Sequence, residues 1–302
     1  MAKYLVGIDA GHGLVTAGKR TPNLQSDLYI NGKLVRKKGE YIKEFEWNIE
    51  VSKYLASALK RCGIDYVYLM DETGKTDTPL STRATKANTK KCDIVISNHY
   101  NAYGGCASFL DRKGGLLVLR TQNCSQNSIK LGELVANQLN DDISYGYSYG
   151  LRKDIDISGF TLAILRQTNM PAILIEYGFM DVLKEAKLML DASHQKKCAE
   201  SVCKAICKYF NIAYKSETTD TKPTTSVSNS TSNTWKNGTY NVKVRATANL
   251  NARKGRGTDN PIIYTIPKGT EFEIGYVLDN WGSTWNFKGQ VLYICCDYIE
   301  KV

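Results

Sequence analysis

An α/β layered domain followed by a small all-β domain is the architecture this sequence predicts, and three observations predict it. Apolar, β-branched runs near residues 3–9, 65–69, 93–97, 114–120 and 172–176 alternate with helical periodicities, the pattern of a mostly parallel sheet with flanking helices. Residues 214–234, YKSETTDTKPTTSVSNSTSNT, hold almost nothing bulky to bury and read as a flexible tether. Beyond them come only short strands punctuated by Gly and Asn-Pro. The expected division is therefore an α/β domain over 1–213, a linker over 214–234 and a β domain over 235–302.

Two helices carry the clearest periodicity. Trp47, Val51, Tyr54, Leu55, Ala58 and Leu59 recur on one face, with Gly63 as the stop signal. Ala199, Val202, Ile206 and Tyr209 form a second stripe that closes the first domain. In the β domain, Val242 and Val244, then Phe272 and Ile274, show strand alternation, and about 65 residues suit a small barrel.

Composition narrows the classes of function. The chain has 302 residues, 42% of them hydrophobic, enough for two cores. No segment offers the ~20 consecutive apolar residues of a membrane span. MAKYLVGIDAGHG enters the first strand at once, so synthesis in the cytoplasm without a signal peptide is expected, with action elsewhere only after release. Nine cysteines without a CxxC pair read as reduced thiols. Cys198, Cys203 and Cys207 are expected as small core hydrophobes, and the neighbours Cys295 and Cys296 as structural strand residues. A net charge of +10 favours phosphate-bearing polymers, nucleic acid and wall teichoic acids among them, and speeds encounter more than it sets specificity.

The chemistry concentrates in three segments. His12 in IDAGHG and His99 in ISNHYNA each follow an apolar run directly, and AILIEYGF ends a third run around Glu176. Carboxyl ends of parallel strands are where reacting groups collect, so the three converge on one rim. Catalytic zinc takes three His or carboxylate ligands and leaves a fourth position open. His12, His99 and a carboxylate fill that requirement, with Glu44 the best candidate because it hangs from the inner face of a helix's first turn. Glu46 is the competing acid. His194, the remaining histidine, is expected on the surface.

IDAGHG, the EFEWN segment from Glu44, LSTRATKAN around Arg83, ISNHYNA and LAILRQTNMPAILIEYGFMD together resemble the zinc-dependent N-acetylmuramoyl-L-alanine amidases of the amidase-3 type, in order, over residues 1 to about 212. The resemblance implies zinc held by His12, Glu44 and His99, with Glu176 as the catalytic acid/base. It also implies cleavage of the amide between N-acetylmuramic acid and L-alanine in bacterial peptidoglycan. Asp181 stands where that family usually has Asn, and residues 18–40 form a longer, basic segment. Residues 239–302 resemble bacterial SH3-like domains through LNARKG, IPKGTEFEI and DYIEKV, which implies wall binding, with Trp281, Trp285 and Tyr293 as candidate contacts. The combination is like a phage endolysin. A host autolysin of the same chemistry and a non-catalytic wall-binding protein are the alternatives, and oligomeric state is not legible.

Overall fold

A computed structural model describes residues 3–143, 147–217, 235–236, 238–257, 260–278, 280–284, 287 and 289–302. The chain divides into two compact units, Met1–Thr219 and Asp220–Val302. Most of the expected linker, residues 218–234, and the candidate contact Trp285 lie outside the described residues.

In the first unit the elements run β1 (Leu5–Ala10), β2 (Leu28–Ile30), β3 (Lys33–Arg36), α1 (Glu44–Arg61), β4 (Asp65–Tyr68), α2 (Leu80–Lys90), β5 (Ile94–Asn101), β6 (Leu116–Arg120), α3 (Gln126–Asp142), β7 (Ser148–Lys153), α4 (Asp154–Ser158), α5 (Ala163–Arg166), β8 (Ala172–Phe179), α6 (Leu183–Ala186) and α7 (Ala192–Phe210). The main sheet has the order β4-β1-β5-β8-β6-β7. Every neighbouring pair is parallel except β8 with β6, so the sheet is mixed but mostly parallel. β2 and β3 form a separate hairpin within the basic 18–40 segment.

Alternation along the strands feeds two cores, one on each face. Val6, Ile8, Ile94, Ile96, Val118, Ile173 and Ile175 point to a core shared with α1, α3 and α7. Val95, Leu117, Leu119, Ala172 and Leu174 point the other way, onto Ala87 of α2 and Ile164 and Leu165 of α5. With both faces covered, the strands read as continuous apolar runs.

Helix α1 buries Trp47, Val51, Leu55, Ala58 and Leu59 completely. Its entry is fixed in two ways. The Lys43 backbone N–H donates to Glu46 Oε1 at 2.9 Å, and Ile42, just before the cap, is buried in the same core as Trp47, a staple across the first turn. The helix closes at Cys62, and Gly63 follows at φ +77°, a left-handed position glycine adopts without strain. α7 starts on Asp191, whose carboxylate accepts the Ser193 N–H at 2.9 Å, and it stops at Asn211 in the left-handed region.

The second unit contains β9 (Gly238–Ala246), β10 (Leu250–Arg253), β11 (Ile262–Ile266), β12 (Glu271–Leu278), β13 (Trp281–Thr284), β14 (Tyr293–Cys295) and β15 (Ile299–Lys301). They pair antiparallel in the order β11-β10-β14-β13-β12-β9-β15. Val244, Phe272, Ile274, Leu292, Ile294 and Cys296 are among its core residues. Trp281 and Tyr293 are only half-buried, and the Arg256 guanidinium lies 4.8 Å from the Tyr293 ring centre. That contact makes a cationic, aromatic surface feature.

Candidate active site

His12, Glu44, His99 and Glu176 line one cleft of about 330 Å³, together with Lys19, Asn101, Cys106 and Met180 among others. Topology brings them there. β1, β5 and β8 are successive parallel neighbours, so their carboxyl ends share a rim. His99 and Glu176 are paired in register across β5 and β8.

His12 sits past the end of β1 at φ +63°, an uncommon conformation for a side-chain-bearing residue and one that clusters at functional sites. Its two flanking glycines are required by close approach. A Cβ on Gly11 would lie 2.0 Å from the His99 ring, and one on Gly13 would lie 2.5 Å from the Thr76 carbonyl oxygen. The GHG triplet therefore lets two backbone segments close on the imidazoles.

Glu44 occupies the first turn of α1 and is 2% exposed. Its Oε1 lies 3.0 Å from His99 Nδ1, and accepts from the Tyr100 backbone N–H at 3.0 Å and Asn48 Nδ2 at 3.2 Å. Oε2 lies 3.3 Å from His12 Nε2. Donor atoms of His12, Glu44 and His99 all lie within 4.8 Å of one another. Two imidazole nitrogens and a carboxylate oxygen are the donor set of catalytic zinc sites, and the donors on Glu44 from Tyr100 and Asn48 are the kind of outer contacts that orient a ligand. The residues fit a divalent cation.

Electrostatics agree with that fit. Burial pushes the His12 imidazole down to about 4, against the opposing pull of Glu44, so it is neutral and able to offer a lone pair. For Glu44, burial raises the carboxyl, but the His99 hydrogen bond, both imidazoles and the Tyr100 N–H outweigh it and hold it at about 2. His99 shows the reciprocal effect: burial lowers it, yet the contact with Glu44 leaves it raised. Glu176 is different. Burial pushes its carboxyl up to about 8, and its Oε2 is shut off from solvent with no hydrogen-bond partner among the described residues. A shielded carboxyl with a free oxygen, facing a cleft, is poised for proton transfer.

A buried polar lattice holds the rim. Asn98 Nδ2 donates to Ser52 Oγ at 2.8 Å, Tyr177 Oη donates to Asn98 Oδ1 at 2.9 Å, and Asn48 Nδ2 donates to the Gly11 carbonyl at 2.9 Å. Beneath His12, Arg83 is 1% exposed and donates to Asp9 Oδ1 and to the Ala10 carbonyl, both at 2.7 Å. Asp9 also accepts from Ser97 Oγ at 2.6 Å. Removing one member of such a buried charged set typically costs about 3–5 kcal/mol, so the LSTRATKAN motif is structural support for the His12 loop.

Three further residues take defined places. Glu46 does not reach the cleft: it pairs with Arg36 and the Lys43 N–H at the helix entry. His194, expected on the surface, is half-buried instead: its ring packs on Trp47 with centroids 5.6 Å apart, and burial lowers it to about 4. Asp181 is 1% exposed and accepts the backbone N–H groups of Tyr103 and Gly104 at 2.9 and 3.1 Å, bracing the loop after β5. Ser52, Asn98 and Tyr177 carried no catalytic-looking signal in the sequence beyond lying in or beside the motifs.

The fold and this cradle define a class: a layered α/β protein whose sheet rim presents two histidines and a carboxylate beside a shielded acid. The chain belongs to the N-acetylmuramoyl-L-alanine amidase family, whose match covers residues 6–208. It is 28% identical over 214 residues to the endolysin of Bacillus phage SPP1, spanning 70% of this chain and 68% of that one. It is 23% identical over 248 residues to the N-acetylmuramoyl-L-alanine amidase AmiC of Neisseria meningitidis serogroup B, and there it spans only 53% of the relative's length. Among solved structures, the N-acetylmuramoyl-L-alanine amidase of Clostridium difficile 630 shares the fold, with a TM-score of 0.56 at 24% identity over 70% of this chain and 98% of that one.

Proposed function

We propose that this chain is a peptidoglycan hydrolase that cleaves the amide between N-acetylmuramic acid and L-alanine, in the manner of a phage endolysin. The observation that carries the proposal is the juxtaposition of the His12, Glu44 and His99 donor atoms, within 4.8 Å of one another, with the unpartnered Glu176 oxygen in the same cleft. Zinc in that cradle would supply Lewis-acid polarisation of the scissile carbonyl, lower the pKa of water and favour the ionised form of Glu176. The protein's own part is then positional. The Glu176 carboxylate takes the proton of the attacking water and returns it to the departing amine of L-alanine. Asn48 and Tyr100 fix Glu44, and the GHG loop fixes His12 against His99.

Digestion of purified Gram-positive walls is expected to release new N-terminal L-alanine without new reducing sugar ends. Reducing ends alone would identify a glycosidase and reject the proposal.

The second unit is assigned a targeting role on peptidoglycan and anionic wall polymers, through an SH3-like surface that includes Trp281 and Tyr293. Arg256 against Tyr293 supports that assignment, since such pairs suit an anionic or carbohydrate-bearing ligand. Holding a hydrolase beside its polymer raises its local concentration. A chain ending near Tyr214 is expected to cleave a soluble muramyl-peptide at an unchanged rate but lose efficiency on intact cells. Equal lysis of cells by both forms would remove the targeting role. The wall is the site of action in this reading, reached after release from the cell that makes the chain.

A further inference from the structure

Three of the cysteines meet at the far end of α1. Cys62 caps that helix, and Cys203 and Cys207 lie one turn apart on α7, all three buried. Their sulfurs lie within 4.8 Å of one another, with Cys203 Sγ 3.7 Å from Cys62 Sγ. None is in a disulfide. From Glu44 to Cys62 the helix rises about 27 Å at 1.5 Å per residue, so this cluster is remote from the cleft.

We propose that Cys62, Cys203 and Cys207 form a second metal site, one that takes a thiophilic d¹⁰ cation such as Zn²⁺, Cd²⁺ or Cu⁺.

The spacing matches the chemistry. A tetrahedral ion with metal–sulfur bonds of about 2.3 Å separates its thiolates by about 3.8 Å, close to the 3.7 Å between Cys62 and Cys203. The Lys215 backbone N–H points at Cys62 Sγ from 3.3 Å, the kind of outer hydrogen bond that supports a sulfur ligand. Two helix ends also converge here, since Cys62 closes α1 and Cys207 lies three residues before the end of α7. The partial negative charge of helix C-termini favours a cation between them. An ion held there ties α1, α7 and the Lys215 segment together.

Cadmium titration of the intact chain, kept reduced with a phosphine, tests the site. Cadmium bound by three thiolates gives an ultraviolet charge-transfer band, which wild type is expected to develop and saturate. His99→Ala is expected to keep the band while losing the other metal, which separates this site from the cleft. Cys203→Ser and Cys207→Ala are each expected to lose the band and one equivalent of cadmium, and Cys295→Ser in the second unit to keep both. If Cys203→Ser does not fold by circular dichroism, Cys207→Ala carries the comparison. No band in wild type, a band persisting in Cys207→Ala, or a Cys62 disulfide recovered by peptide mapping in place of bound metal would overturn the proposal.

Discussion

Glu176→Gln is expected to keep the fold and the bound metal and to lose hydrolysis, with kcat down by ~10²- to 10⁴-fold, the usual contribution of a general acid–base group. Three features of the residue set that expectation. It stands in register with His99 and lines the same cleft as His12 and Glu44. Its Oε2 has no hydrogen-bond partner among the described residues, so the carboxyl is not tied up in holding the fold. Burial already disfavours the charged form, so a neutral amide of the same volume is no burden on the fold. Gln cannot accept a proton, and that is the only function removed. Metal content by elemental analysis, thermal melting and turnover of a muramyl-peptide, measured on one preparation, separate the outcomes. A zinc-loaded Gln variant with wild-type turnover would remove Glu176 from the proton-transfer role.

The sequence made the rim legible because buried parallel strands announce themselves. Ile94 to Ser97 and Ala172 to Ile175 are unbroken buried runs, so a histidine or glutamate closing such a run has a defined address. Direction and edge position leave no such trace. β6 is as apolar as its neighbours yet runs antiparallel to β8, and β7, SYGLRK, is a half-exposed edge strand whose residues alternate too weakly to stand out. The β2–β3 hairpin was hidden in a basic segment for the same reason.

Long-range packing was the other blind spot. His194 looked like a surface residue at a helix start because its neighbour Trp47 is 147 positions away in the chain. Cys203 and Cys207 read as core filler because Cys62, which completes the group, is separated from Cys203 by 141 positions. Arg83 belonged to a visible motif, but its work under the His12 loop needs Asp9, 74 positions earlier. In each case the local pattern gave the residue's secondary structure and only the fold supplied its partner.

His99→Ala is expected to abolish metal binding in the cleft and, with it, more activity than Glu176→Gln removes. Three ligands from three separate elements are assembled only by the fold, and two donors hold zinc far less tightly than three. Loss of the ring also releases its neighbours: Glu44 loses the partner 3.0 Å from its Oε1, and the space that forces glycine at position 11 becomes empty. The fold is expected to survive, because Asn98, Ser52 and Tyr177 still lock β5 to its neighbours. Elemental analysis of the purified variant is expected to show loss of the equivalent bound in the cleft, with an unchanged circular dichroism spectrum. The contrast with Glu176→Gln is the informative result: one variant keeps the cleft metal without turnover and the other loses both. Retention of the cleft metal in folded His99→Ala would break the assignment of the cradle, whatever happened to activity.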